Sequence, residues 1–258
     1  MITDPALKPR QDIGRAEDIR KLEEIILAAG ERARELFNGR EAFFVNEKSP
    51  GQFVSDADRE VENLIRDMLR EAFGKLPVIG EEFGGEYDGN GWVIDPIDGT
   101  SNFLCGLPLW SISIAYMRDG SPELAAVYAP NSGSLASASK GHGIRRNCQT
   151  HVRKSGRTAV PTYSVGENTV WSRESIRQTT ERLREEGYEI VRLRSASQSL
   201  AMVSLGLLDG FIEEHLKLWD IAAGWLLCIE SGVPVSVGEL EGFERSIWAG
   251  YAGAPDVR

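Results

Sequence analysis

The sequence predicts an α+β fold built as packed layers. Amphipathic stretches of helical period stand among short apolar runs bounded by Gly, Pro and acids, and the two kinds of segment do not follow the regular β-α-β rhythm of a barrel or doubly wound fold. The length of 258 residues, with 41% apolar and 26% charged residues, is that of an ordinary globular chain. Such a chain buries a large core without needing a disulfide or a structural metal.

The elements follow in order. From Arg15 to Phe37 the apolar residues Ile19, Leu22, Ile25, Ile26, Ala29, Ala33 and Leu36 recur every three or four positions, which predicts an amphipathic helix. A second helix is predicted from Ser55, as N-cap, through Val61, Leu64, Ile65, Met68, Leu69 and Phe73 to a stop at Gly74. Pro77 to Gly80 and Trp92 to Ile94 read as buried strands, ending at Glu81 and Asp95, so both deliver acids at their C-terminal ends. Leu109–Met117, Glu123–Ala129 and Ser134–Ser139 stand at hairpin spacing and predict an antiparallel meander. Beyond a basic stretch rich in Gly and Ser, strands are predicted at Asn168–Trp171, Glu189–Leu193 and Phe211–Ile212, and helices at Ser172–Glu186, Ser197–Leu208 and Asp220–Ser231. The Gly, Ser, Thr and Pro content of 141–164 divides the expected domain, 1–258, into an N-terminal lobe, 1–140, and a C-terminal lobe, 141–258.

The formal charge of −10 argues against a chain-wide footprint for nucleic acid or an anionic membrane. Its distribution is uneven: twelve acids and four bases lie between Asp56 and Asp98, whereas Leu124 to Gly166 holds no acid. Cys105, Cys148 and Cys228 form no CxxC pair, and His142, His151 and His215 share no metal-ligand spacing. The start lacks the apolar core of a signal peptide and no run approaches 18 apolar residues, so a soluble cytoplasmic protein is expected.

Three pieces carry chemistry: Ile79-Gly80-Glu81-Glu82, Asp95-Pro96-Ile97-Asp98-Gly99-Thr100, and Trp219-Asp220. Together they make sense as a hard-cation site, because Mg²⁺ takes oxygen ligands, commonly carboxylates with substrate phosphate. Pro96 forces a bend that lets Asp95 and Asp98 point into one cavity, with the Ile97 carbonyl facing the same way. Gly99 and Thr100 then open a short helix through Phe103 whose first N–H groups suit an anion. Acids beside an anion-binding helix start are compatible when cations lie between them.

These pieces, in this order and at this spacing, resemble the inositol monophosphatase family: its Gly-Glu-Glu strand end, its Asp-Pro-Ile-Asp-Gly-Thr-x-Asn-Phe turn, here Asp95 to Phe103, and its Trp-Asp-x-Ala-Ala-Gly helix start, here Trp219 to Gly224. Lys48-Ser49-Pro50 with Val54 to Asp58 resembles the family's mobile loop and the acid after it. The resemblance implies a layered αβαβα sandwich, a homodimer, and an Mg²⁺-dependent, Li⁺-inhibited phosphomonoesterase with two or three ions. Glu81, Asp95 and the Ile97 carbonyl would hold the first ion, and Asp95, Asp98 and Asp220 the second, with Glu81 also serving a third. Thr100 and Glu81 would hold the nucleophilic water, Asp58 would polarise Thr100, and the phosphate would rest on the N–H groups of Gly99 and Thr100 beside Asp98. No phosphoenzyme is implied, the attack being direct and in line by a metal-activated water. A phosphatase with an Asp-x-Asp-x-Thr nucleophile is set aside by the Asp-x-x-Asp spacing.

For the substrate, a small phosphorylated polyol, Glu213 matches a hydroxyl-binding glutamate of inositol-cleaving members. Arg194 departs from the family, standing where a small Gly is usual; with Arg145 or Arg146 it could form a basic lip for a second phosphate. Relatives that cleave histidinol phosphate, fructose 1,6-bisphosphate or 3′(2′),5′-bisphosphate nucleotides are alternatives to inositol monophosphate. A non-catalytic or moonlighting binding protein is the alternative of another class.

Overall fold

The computed structural model describes residues 13–39, 45–49, 52–154, 158–239 and 244–250. Helices α1 (Ala16–Asn38) and α2 (Asp56–Phe73) form where the apolar spacing predicts them and bury one stripe each, Leu22, Ile26, Ala29 and Ala33 on α1 and Val61, Ile65 and Leu69 on α2. The buried Asp18 reaches back from the first turn of α1 to accept the N–H groups of Gly14 at 3.1 Å and Arg15 at 3.0 Å. Between the helices β1 (Val45–Ser49) and β2 (Gln52–Ser55) form an antiparallel ribbon. Lys48 and Ser49 of the predicted loop end β1; Pro50 and the Ser55 side chain lie outside the described residues.

The meander is present and wider than predicted. Strands β3 (Val78–Gly80), β4 (Gly91–Asp98), β5 (Ser111–Arg118), β6 (Ser121–Ala129), β7 (Ser134–Ser139), β8 (Ile144–Arg146) and β9 (Gln149–His151) lie side by side in chain order, parallel between β3 and β4 and antiparallel elsewhere. The short helix α3 (Thr100–Cys105) leaves β4. A second sheet has the order β11-β10-β12-β14-β13, from β10 (Thr162–Val165), β11 (Glu189–Val191), β12 (Gly210–Lys217), β13 (Val235–Glu239) and β14 (Glu244–Gly250). The remaining helices are α4 (Arg173–Glu185), α5 (Ala196–Ser204) and α6 (Leu218–Glu230).

Strand alternation sorts these into five layers. One face of the seven-stranded sheet, with Trp92, Ile94, Ile112, Ile114 and Leu124, packs on α1 and α2. Its other face, with Val93, Ala115, Met117, Ala125 and Val127, packs on Ala201, Ala222, Ala223 and Leu226 of α5 and α6. The opposite sides of those helices, through Leu200, Val203, Ile221 and Cys228, meet Phe211, Ile247 and Ala249 of the second sheet. Finally Tyr163, Val165, Ile212 and Trp248 pack beneath Ile176 and Leu183 of α4. The αβαβα order implied by the resemblance is the observed one.

Asn168–Trp171 is not a strand. The Asn168 Oδ1 accepts the N–H groups of Val170 at 3.0 Å and Trp171 at 2.8 Å, closing a turn that Ser172 continues as the side-chain cap of α4. The strand of that region is β10, in a stretch whose Ser, Thr and Pro content reads as loop. The last two strands, β13 and β14, complete the second sheet from a segment for which no element is predicted. No helix among the described residues is long and apolar enough to cross a membrane.

Candidate active site

The parallel pairing of β3 with β4 sets Gly80 opposite Ile94, so Glu81 and Asp95 leave neighbouring strands at the same end. Strand β4 does not stop at Asp95 but runs on to Asp98 through a bulge, Asp95 pairing with Ser113 and Asp98 with Ser111. Three steps on β4 thus match two on β5, which turns Asp95 and Asp98 to one side; in a regular strand residues three apart face oppositely. Pro96, with no N–H to give the ladder, sits in the bulge, and the Ile97 N–H turns to Asp95 Oδ1 at 3.0 Å.

The rest of the predicted set arrives from other elements. Asp220 lies in the first turn of α6, its Oδ2 accepting the Lys217 N–H at 2.7 Å. Asp58, wholly buried in the first turn of α2, accepts the Thr100 hydroxyl at 3.2 Å, and the same hydroxyl lies 3.1 Å from the Ile97 carbonyl. Gly99 takes a left-handed φ of 94° to start α3. Glu81, Asp95, Ile97, Asp98, Gly99, Thr100, Glu213 and Asp220 all line one cavity of about 760 Å³. Asp58 stands behind it and reaches it through Thr100.

Burial and crowding shape the charges. Asp95 is held well above the usual carboxylate range, first by burial and then by Glu81, Asp98, Asp220 and Asp58. Asp220 is raised likewise by burial and by Asp98. Asp98 is raised by burial against the opposing pull of Ser197 and Ser195, whose groups meet its Oδ2 three times: Ser195 Oγ at 2.7 Å, Ser197 N at 2.7 Å and Ser197 Oγ at 2.6 Å. Glu213 is pushed up to about 8 by burial, opposed by its 3.0 Å hydrogen bond from Asn168 Nδ2.

Oxygen donors that repel one another in a shared cavity are the donor set of a hard cation. One oxygen of each of Asp95, Asp98 and Asp220 is already held by a protein donor. Among the described residues no three such side chains have closed around a point where an ion would sit.

The model of the inositol monophosphatase family matches residues 16–248. The chain belongs to that family. Its members are metal-dependent phosphatases. An inositol-1-monophosphatase of Rhizobium meliloti is 36% identical over 80% of this chain and 80% of its own. A fructose-1,6-bisphosphatase/inositol-1-monophosphatase of Aquifex aeolicus is 32% identical over 83% of each, and the Nus factor SuhB of Escherichia coli K12 is 34% identical over 81% and 80%. Among solved structures, the extragenic suppressor protein suhB of Bartonella henselae matches with a TM-score of 0.82 at 28% identity, covering 92% of this chain and 95% of its own. The Thermotoga maritima IMPase matches at 0.78 and 28%, covering 90% and 92%.

This family member also uses residues that sequence reasoning missed. Glu62, wholly buried on α2, accepts the N–H groups of Glu82 at 2.8 Å and Phe83 at 3.3 Å and pairs with Arg66 at 2.7 Å. Arg66 in turn donates to Val78 O at 3.2 Å and Gly84 O at 2.6 Å, so the pair clasps both sides of the turn that presents Glu81. Gly80 has no side chain because a Cβ there would lie 2.3 Å from Glu62 Oε1. The one signal in the sequence is the i,i+4 pairing of Glu62 with Arg66. Asn102 is another such residue, its Nδ2 donating to Leu109 O at 2.6 Å and Leu193 O at 2.8 Å and so tying α3 to the chain ahead of α5.

The basic lip is corrected. Arg145 lies on β8 and pairs with the buried Glu23 of α1 at 2.7 Å, and neither it nor Arg146 lines the cavity. Of the three, Arg194 does, together with Arg173 and Arg192.

Proposed function

We propose that this chain is an Mg²⁺-dependent phosphomonoesterase acting on a small polyol phosphate of the inositol phosphate kind. The observation that carries this reading is the meeting of Glu81, Asp95, Asp98 and Asp220 in one cavity with the hydrogen-bonded pair Asp58 and Thr100 at its edge. Two or three Mg²⁺ ions would be held by Glu81, Asp95, the Ile97 carbonyl, Asp98 and Asp220, where they would neutralise the clustered charge and polarise the phosphate. The N–H groups of Gly99 and Thr100 seat the phosphate. With its proton engaged by Asp58 or the Ile97 carbonyl, the Thr100 hydroxyl presents a lone pair to the cavity and accepts a hydrogen bond from the attacking water. Glu81 accepts from the same water, aiming its oxygen in line with the ester bond. Glu213, raised toward its neutral form, takes substrate hydroxyls together with Asn168.

The relatives named Nus factor SuhB favour a second reading, a binding role like theirs with or without hydrolysis. The presence of Glu81, Asp95, Asp98 and Asp220 in the cavity supports hydrolysis, since a binding surface has no use for buried acids that repel one another.

The test is phosphate release from inositol, histidinol, fructose and adenosine phosphates with Mg²⁺. Turnover of at least one is expected, with loss on Asp95→Asn, and Mg²⁺ is expected to raise the melting temperature by binding the folded state alone. No turnover of any of them, with a melting temperature indifferent to Mg²⁺, refutes the reading.

A further inference from the structure

Beside the carboxylates, the cavity wall carries a charged cluster that the hydrolytic chemistry leaves unused. His215 and Lys217, near the end of β12, both line the cavity, and both meet Glu244 at the start of β14. The Glu244 carboxylate divides its oxygens between them: Oε1 accepts from Lys217 Nζ at 2.9 Å, and Oε2 lies 3.2 Å from His215 Nδ1. These two partners, Lys217 first, hold Glu244 below the usual carboxylate range. A charged carboxylate only accepts, so Nδ1 carries the proton and the neutral ring keeps a lone pair on Nε2. That nitrogen has no hydrogen-bond partner among the described residues. Glu244 does not itself line the cavity, so the imidazole spans from Glu244 on one edge to the cavity on the other.

The strand is bent to place it there. Glu213 pairs with Ile247 and Leu216 with Arg245, so Glu214 and His215 stand opposite Ser246 alone, and His215 takes the left-handed position of this bulge with a φ of 59°. Glycine would fill that position without strain. What the histidine adds is its imidazole, and non-glycine residues held in this conformation gather at ligand sites. The bulge is also tied to the residues assigned to substrate hydroxyls: the Asn168 Nδ2 that donates to Glu213 Oε1 at 3.0 Å donates to the Glu214 carbonyl at 2.6 Å. An acceptor held in one direction beside that pair suits a ligand group that donates, and a polyol supplies hydroxyls.

We propose that His215 is a specificity residue, its Nε2 accepting a hydrogen bond from a substrate hydroxyl, and that Glu244 is the positioning residue that holds the ring for that contact. This rests on the phosphatase reading above and adds to it a second hydroxyl contact, on a different segment of the wall from Glu213. Lys217 keeps Glu244 charged and in place.

The experiment measures kcat/KM with Mg²⁺ on inositol 1-phosphate and on cyclohexyl phosphate, which has the ring and the ester without the hydroxyls, for the wild type, His215→Gly, Glu244→Gln and the double variant. In His215→Gly the preference for inositol 1-phosphate is expected to fall by about fivefold, the worth of one hydrogen bond, chiefly through KM. The melting temperature is expected to hold, because glycine relieves the left-handed backbone. Glu244→Gln keeps the volume but a single oxygen, so it cannot serve Lys217 and His215 together, and the preference falls as well; its strand backbone is ordinary, which separates it from any folding effect at 215. Any effect on catalysis through Lys217 and α6 falls on both compounds and cancels in the ratio. Combined with His215→Gly, Glu244→Gln should lower the ratio no further, as expected of a residue that acts through the ring. A ratio that either single variant leaves unchanged overturns the proposal, and additive losses in the double variant overturn the positioning role of Glu244. Hydrolysis of neither compound by the wild type counts against the phosphatase reading instead. Calorimetric titration with inositol 1-phosphate then decides the contact: binding weakened in both single variants supports it, and equal binding, or none by the wild type, overturns it.

Discussion

Glu62 does not line the cavity, yet its removal should disable the site. In Glu62→Ala the N–H groups of Glu82 and Phe83 lose their acceptor and Arg66 loses its counter-charge, all next to the turn that carries Glu81. Removing one partner of a buried ion pair costs about 3–5 kcal/mol. Because Arg66 keeps 20% of its side chain in water, the lower part of that range applies, about 3 kcal/mol. For a chain of this length each kcal/mol lowers the melting temperature by about 2–4 °C, so a drop near ~10 °C is expected. Urea unfolding gives the free energy and a thermal melt the temperature. A metal titration gives the second consequence: with the Glu81 turn released, the apparent Mg²⁺ affinity should weaken by about tenfold, as for other residues that orient ligands from behind. Glu62→Gln retains the volume and one acceptor oxygen and should lose about half as much stability. An unfolding free energy of Glu62→Ala within about 0.5 kcal/mol of the wild type, with equal Mg²⁺ binding, would refute this role of Glu62.

Two further outcomes follow from Glu213. Its carboxyl titrates near about 8 in the folded chain against 4.5 ordinarily, so between those values the folded state holds a proton that the unfolded state has released. Stability of the metal-free protein should therefore fall as pH rises through that window, by up to about 1.4 kcal/mol per pH unit, and Glu213→Gln should flatten the fall; parallel curves of unfolding free energy against pH would contradict this. Gly166→Ala would place a Cβ 1.9 Å from Glu213 Oε2 and drive that side chain from Asn168, so a loss of about 1–3 kcal/mol is expected together with a raised KM for inositol 1-phosphate.

How much of this could be read from the residues depends on how local each cause is. The stripes of α1 and α2 are local, and both helices lie within a residue or two of their predicted bounds. Glu81 follows a strand end that its apolar run already marks, whereas the run Trp92–Ile94 marks an end at Asp95 and β4 continues to Asp98. Their convergence on one side depends on the bulge at Pro96, which the Asp-Pro spacing hints at but the ladder with Ser111 and Ser113 decides. The approach of Asp220 could be read only from the family resemblance, because no spacing connects a helix start to acids more than a hundred residues earlier. Strand β10 was hidden because Tyr163, Ser164 and Val165 are all buried, so alternation is lost just where the strand lies between two neighbours. The error at Asn168 has the opposite origin: Val170 and Trp171 look like strand, while a single side-chain amide captures their N–H groups. Arg145 reads as part of a basic lip until the fold brings it to Glu23, on the far side of the seven-stranded sheet.

The middle layer has a consequence for what this molecule can change. Helix α6 carries Asp220 at its start and meets the first sheet through Ala222 and Ala223, against Ala115, Ala125, Ala136 and Ala138. On the helix's other side Gly224 lies so close to Leu200 that a Cβ would be 2.4 Å from it. The separation between Asp220 and the strand-borne acids is thus gauged by the smallest side chains in the protein, none of which touches the cavity. One added methyl group among them would act as a shim, shifting the Asp220 carboxylate without altering it. Arg173, Arg192, Arg194 and His215 line the cavity from outside α6, so exchanging them leaves that gauge undisturbed.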